Sequence, residues 1–85
     1  MREQSPVEKV IQRTVLEWFE SGAQRTGWSF YEWAKRAGID RNVKNKIAAG
    51  QRPSYVDLSR LAGAAGIDLP TPQFPSDVLQ QLQKT

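Results

Sequence analysis

The sequence predicts an all-α fold, five helices in one compact domain. Three observations carry that prediction. Apolar residues recur at intervals of three and four along each segment. Serine or aspartate residues suited to capping stand just ahead of those segments. Glycine and proline residues stand just behind them. The chain has 85 residues, enough for one domain, with no internal repeat and no low-complexity tract.

The first helix is expected from Pro6 to about Glu20. Ser5 is the cap, Pro6 suits the first helical position, and Glu8 completes a Ser-x-x-Glu capping box. Val7, Val10, Ile11, Thr14, Val15 and Trp18 share one face, and Ser21-Gly22 reads as the stop, followed by a polar loop from Ala23 to Trp28. The second helix is expected from about Phe30 to Arg36, capped by Ser29 with Glu32, buried through Phe30, Trp33, Ala34 and Ala37, and ended by Gly38. The third is expected to start at the cap Asp40 and reach about Ala49, before Gly50. Its apolar stripe is thin: Ile39, Val43 and Ile47 point inward, leaving Arg41, Asn42, Lys44, Asn45, Lys46 and Ala49 outward. The fourth follows Pro53, with Ser54 as cap, Asp57 at the capping-box position, core contacts from Val56, Leu58, Leu61, Ala62 and Ala65, and Gly66 as stop. Prolines 70, 72 and 75 make the stretch 69–75 an extended linker. A short last helix is expected within 76–84, about Asp77 to Gln83, with Ser76 as cap and Val78, Leu79 and Leu82 on one side.

Composition narrows the function. Apolar content of 39% and charged content of 25% are ordinary for a globular domain, and no apolar run approaches the ~18 residues needed to span a membrane. The first residues lack a signal-peptide pattern, and the chain has no cysteine, which fits a reducing cytoplasm. It has no histidine either. The usual ligands of a structural zinc and the usual base for a serine or cysteine nucleophile are thus missing, and the scattered acids form no calcium loop. The chain therefore reads as a non-enzyme without cofactor or metal.

The net charge of +3 is unevenly placed. Residues 1–23 sum to −1 and residues 53–85 to −1, whereas residues 24–52 hold seven basic and two acidic groups, a net +5. A positive middle third is the footprint of a phosphate-binding surface, or of a merely solvated basic face. The same third carries a helix-turn-helix pattern. Two helices that cross steeply through a short turn need a small residue where they touch, a positive φ in the turn and an apolar plug behind it. Ala34, Gly38 and Ile39 supply these.

With its flanking segments, this pattern resembles the phage lambda repressor and Cro type of helix-turn-helix regulators, the xenobiotic-response-element family. The resemblance spans about Trp28 to Leu69. It rests on Ser29, Trp33-Ala34, Gly38-Ile39-Asp40, Gly50-Gln51-Arg52-Pro53-Ser54, Leu58-Ser59-Arg60-Leu61-Ala62 and Gly66-Ile67. Two positions depart from the usual string. Phe30 stands where the family often carries a glutamine that touches DNA, and Lys44 stands where an apolar residue often sits. The resemblance implies a compact five-helix domain of prokaryotic or phage kind, working in the cytoplasm and binding double-stranded DNA as a homodimer on an inverted repeat. The helix-turn-helix unit would occupy about 29–49.

For such a reader the side-chain chemistry assigns roles. Arg41 suits bidentate contact to guanine, Asn42 and Asn45 suit adenine, and Lys46 suits a base or a phosphate. Lys44, Arg52, Ser54 and Tyr55 suit phosphates. Asp40 reads as a cap and a repellent to phosphate. Plainer roles fit several residues: Trp18, Trp33 and Phe30 as core, Trp28 as a loop anchor, Tyr31 as an exposed ring, Asn45 as solvated surface. Three function classes compete: a sequence-specific transcriptional repressor, with a small antitoxin or autoregulator as one form; a protein-interaction module using Trp28, Phe30 and Tyr31; and a sequence-blind DNA-structuring protein. The apolar side of Val78, Leu79 and Leu82, or Phe74, would serve either as dimer contact or as a cover over the chain's own core.

Overall fold

The computed structural model describes residues 5–72, and these residues form four helices and no strand. They are α1 (Pro6–Thr26), α2 (Phe30–Ala37), α3 (Val43–Ala48) and α4 (Tyr55–Ala65). Helix α1 packs against both α2 and α3, and α2 packs against α4. The expected last helix and the end of the proline-rich linker lie outside the described residues. None of the four helices is long and apolar enough to cross a membrane.

The start of α1 follows its capping residues: Ser5 Oγ accepts from the Glu8 amide at 3.2 Å. Its end does not. Gly22 was expected as the stop, but α1 continues to Thr26 and closes at Gly27, whose φ of 76° is the left-handed cap. Gly22 is instead buried beneath the Trp33 ring. A Cβ built there would come within 2.6 Å of Trp33 Cζ3 and closer still to Cη2, so the glycine is needed for close approach of two helices. The buried stripe also runs further than expected, through Val10, Val15, Phe19 and Gly22, with Phe19 four residues after Val15.

Trp33 is fully buried and sits at the centre of the core with Val15, Phe19, Val43, Ile47 and Leu61. Its indole Nε1 donates to the Leu61 carbonyl at 2.8 Å, so the polar edge of the ring is satisfied inside the protein. Trp18, Phe19 and Phe30 surround it with ring centroids 5.2–6.2 Å away. Trp18 and Phe30 are only partly buried, and Trp18 Nε1 reaches the Asp68 carbonyl at 2.9 Å, pinning the segment after α4 to α1.

Helix α2 matches its sequence signals: the Ser29 hydroxyl accepts from the Glu32 amide at 3.2 Å, Ala34 is buried, and Gly38 closes the helix with φ 73°. Helix α4 keeps the expected core contacts of Leu61 and Ala62 but exposes Val56 by 56%. The reason is angular: Leu58, Leu61, Ala62 and Ala65 form one stripe, and Val56 lies about 200° from Leu58 around the helix axis. Ser54 occupies the cap position of α4 as expected, extended and with its carbonyl accepting from the Leu58 amide at 3.0 Å, but its side chain makes no cap bond.

Two glycine substitutions test the packing. Gly22→Ala should cost about 1–3 kcal/mol, because overpacking against a rigid buried ring outweighs the helix propensity gained. Gly63→Ala, where a Cβ meets nothing within 4 Å, should stabilise by about 0.5–1 kcal/mol. Urea midpoints would measure both, and equal stability of Gly22→Ala and the parent would rule out the close approach.

Candidate nucleic-acid interface

Helix α3 begins later than its sequence suggests. Asp40 was expected to cap it, but the helix starts at Val43, with Asn42 at the cap position and no side-chain cap bond. Asp40 acts on the preceding turn: its Oδ1 accepts from the Asn42 amide at 2.9 Å, and the Val43 amide reaches the Asp40 carbonyl at 3.2 Å. Arg41 and Asn42 therefore lie in a turn, ahead of a six-residue helix.

Only Val43 and Ile47 of α3 are buried, and Ile39 packs partly against the same core. So short a helix leaves carbonyls without partners at its end. Gln12 on α1 covers two of them, its Nε2 donating to the carbonyls of Ile47 at 2.9 Å and Ala48 at 3.1 Å, with the Gly50 amide also donating to Ile47. Nothing in the local sequence marks Gln12 for this role, since its partners lie 35 and 36 residues away.

The residues expected to read bases come together. Arg41, Asn42, Asn45 and Lys46 are all exposed. Asn42, Asn45, Lys46 and Ala49 follow the i, i+3, i+4, i+7 spacing that places them on one side of α3. Two of the cations already have partners. The Arg41 guanidinium lies over the exposed Tyr31 ring, 5.5 Å from its centroid. Lys46 Nζ donates to Asp40 Oδ2 at 2.8 Å. Chiefly through that bond, and then through the Asn42 amide, the Asp40 carboxyl titrates below its ordinary value of 3.8.

The residues expected to meet phosphates are more dispersed. Lys44 lies about 160° around α3 from Lys46 and lines a shallow groove against α1 with Arg13, Leu16, Glu17 and Glu20. Arg52 Nε pairs with Glu8 Oε2 at 3.3 Å, tying the α3–α4 loop to the start of α1. Ser54 and Tyr55 are exposed at the start of α4, Tyr55 by 73%. Arg36 stacks over the Trp28 ring at 4.4 Å and pairs with Glu32, and Trp28 itself packs partly against the core.

The Asp40 bonds have a pH signature. A carboxyl whose pKa is lower folded than unfolded adds stability above the unfolded value and loses it as pH falls through the folded one. The Asp40 midpoint should thus fall below the ordinary value, and Lys46→Gln should raise it in a carbon-detected NMR titration. An unmoved midpoint would mean that Lys46 does not hold the carboxylate.

Comparison of the chain with protein families, with curated proteins and with solved structures finds no match.

Proposed function

We propose that the chain is a sequence-specific double-stranded DNA-binding repressor with a helix-turn-helix of the lambda repressor and Cro kind, reading the major groove with α3 and the turn before it. The observation that carries this is the division within α3. Two apolar residues hold the helix to the core, while Arg41, Asn42, Asn45 and Lys46 remain exposed together. A helix with its side chains is about 10–12 Å across, which fits a major groove ~12 Å wide, but at about 9 Å long α3 is too short to read it alone. The turn residues extend the reading surface. Arg41 pairs with guanine O6 and N7, and Asn42 and Asn45 pair with adenine. Lys46 reaches a base or a phosphate. Lys44, Arg52, Ser54 and Tyr55 contact the backbone.

One module of this size buries about 600–1,000 Å² on DNA, so tight specific binding calls for a homodimer on half-sites ~34 Å apart. The apolar tail residues Phe74, Val78, Leu79 and Leu82, which offered either a dimer contact or a cover over the core, lie outside the described residues.

A protein-interaction module keeping the same fold is the second reading. The exposed Tyr55 and Val56 favour it. Of the aromatic residues expected to serve it, Phe30 and Trp28 pack partly against the core and Tyr31 is exposed.

Selection from random duplex oligonucleotides should recover an inverted repeat, with affinity falling with salt at a log–log slope near −4 to −5 for four to six neutralised phosphates. Failure to bind any duplex at low salt would favour the interaction module, and equal affinity for all sequences a sequence-blind structuring protein. Arg41→Ala should cost about 1–3 kcal/mol on the selected site and relax preference at one base pair. A uniform loss across sequences would remove Arg41 from base reading.

A further inference from the structure

We propose that Asp40 acts as an internal stand-in for phosphate, neutralising Lys46 until DNA displaces it and so setting the affinity and salt dependence of binding. This rests on the DNA-reading function proposed above. The geometry comes from one carboxylate with two jobs. Oδ1 holds the Asn42 amide and so shapes the turn, while Oδ2 holds Lys46 Nζ one helical turn further on. Asp40 is the only acid between Asp40 and Arg52, a stretch that also holds Arg41, Lys44, Lys46 and Arg52. The carboxylate lies against Lys46 and feels the charge of Arg41.

The side chains of Lys46 and Asp40 are 49% and 45% exposed, so water and salt compete with their bond and a polyanion can exchange into it. That exchange has a definite cost on DNA. Lys46 can meet a phosphate only by leaving Asp40, and the carboxylate it leaves then faces the phosphate chain. Every duplex bears this cost, whatever its sequence. Asp40 therefore lowers the affinity for cognate and random duplexes alike and flattens the salt dependence, while the base contacts of Arg41 and Asn45 set the preference between them. Counterion accounting gives the same picture. A phosphate gained by Lys46 releases a cation from DNA, but the freed carboxylate takes one up, so Lys46 adds little to the salt slope while Asp40 is present.

Asp40→Asn separates the two jobs. The amide oxygen still accepts from Asn42, so the turn persists, but the ion pair with Lys46 is lost. Binding of the full chain to a random-sequence duplex should strengthen, with the log–log salt slope steeper by about 0.9. The ratio of Asp40→Asn to parent affinity should accordingly grow about 3.5-fold on going from 200 to 50 mM salt. Lys46→Gln alone should weaken binding while flattening the parent's slope by far less than about 0.9, and Lys46→Gln added to Asp40→Asn should abolish the gain in slope. That coupling distinguishes the proposal from simple removal of a negative charge, which would raise affinity with or without Lys46. Thermal melts of the variants confirm that each is folded. An Asp40→Asn slope equal to the parent's, or a parent slope that Lys46→Gln already reduces by about 0.9, would overturn the role of Asp40 and leave the DNA-binding function standing. Absence of any duplex binding by the parent, at low salt and with random and selected DNA alike, would overturn both.

Discussion

Trp33 lies against the bare backbone of α1 at Gly22, where one added Cβ would force the helices apart, and its indole reaches the Leu61 carbonyl of α4. Through this side chain three of the four helices are tied at one point. Burying a ring of that size takes roughly 150–250 Å² out of water, about 4–6 kcal/mol by area before entropy is counted. A glycine inside a helix costs about 1 kcal/mol relative to alanine. The burial is the larger effect, which explains why a helix-weakening residue stands in the middle of the last turns of α1.

Because Trp33 joins α1, α2 and α4, helix α3 can be attached lightly. It contributes Val43 and Ile47 to the core and receives two hydrogen bonds from Gln12. The rest of α3 and the turn before it need not serve stability, and their side chains are free to be cationic or amide. The arrangement of Asp40, Arg41 and Lys46 then becomes a question of surface chemistry: an aromatic ring under one cation and a carboxylate beside another restrict where each can reach. These contacts are local and exposed, so substitutions there should alter binding without unfolding the domain.

Much of the fold was legible where the physics is local. The caps at Ser5 and Ser29, the left-handed glycines at 38 and 66, the thin stripe of Val43 and Ile47 and the burial of Trp33 and Ala34 all follow from neighbours within one or two turns. The errors arose where one residue type serves two purposes. Glycine ends helices and also lets helices touch, and sequence alone could not tell that Gly22 does the second while Gly27 does the first. Aspartate caps helices and also shapes Asx turns, so Asp40 was placed at the start of α3 when it precedes it by three residues. Gln12 and Arg52 find their partners across the fold, where no local pattern points. The cationic cluster itself was visible as charge in the middle third, but that Lys44 would face α1 depended on packing across the fold.

The central claim is that a core built on Trp33 presents the turn and outer side of α3 as one surface for DNA. An amide-resolved NMR titration with a selected duplex tests it most directly. The expected result is that perturbations concentrate at Asp40, Arg41, Asn42, Asn45 and Lys46 and at Arg52 to Tyr55, while Gly22, Trp33 and Leu61 hold their positions. Perturbations centred elsewhere, with Asp40, Arg41, Asn42, Asn45 and Lys46 silent, would contradict it.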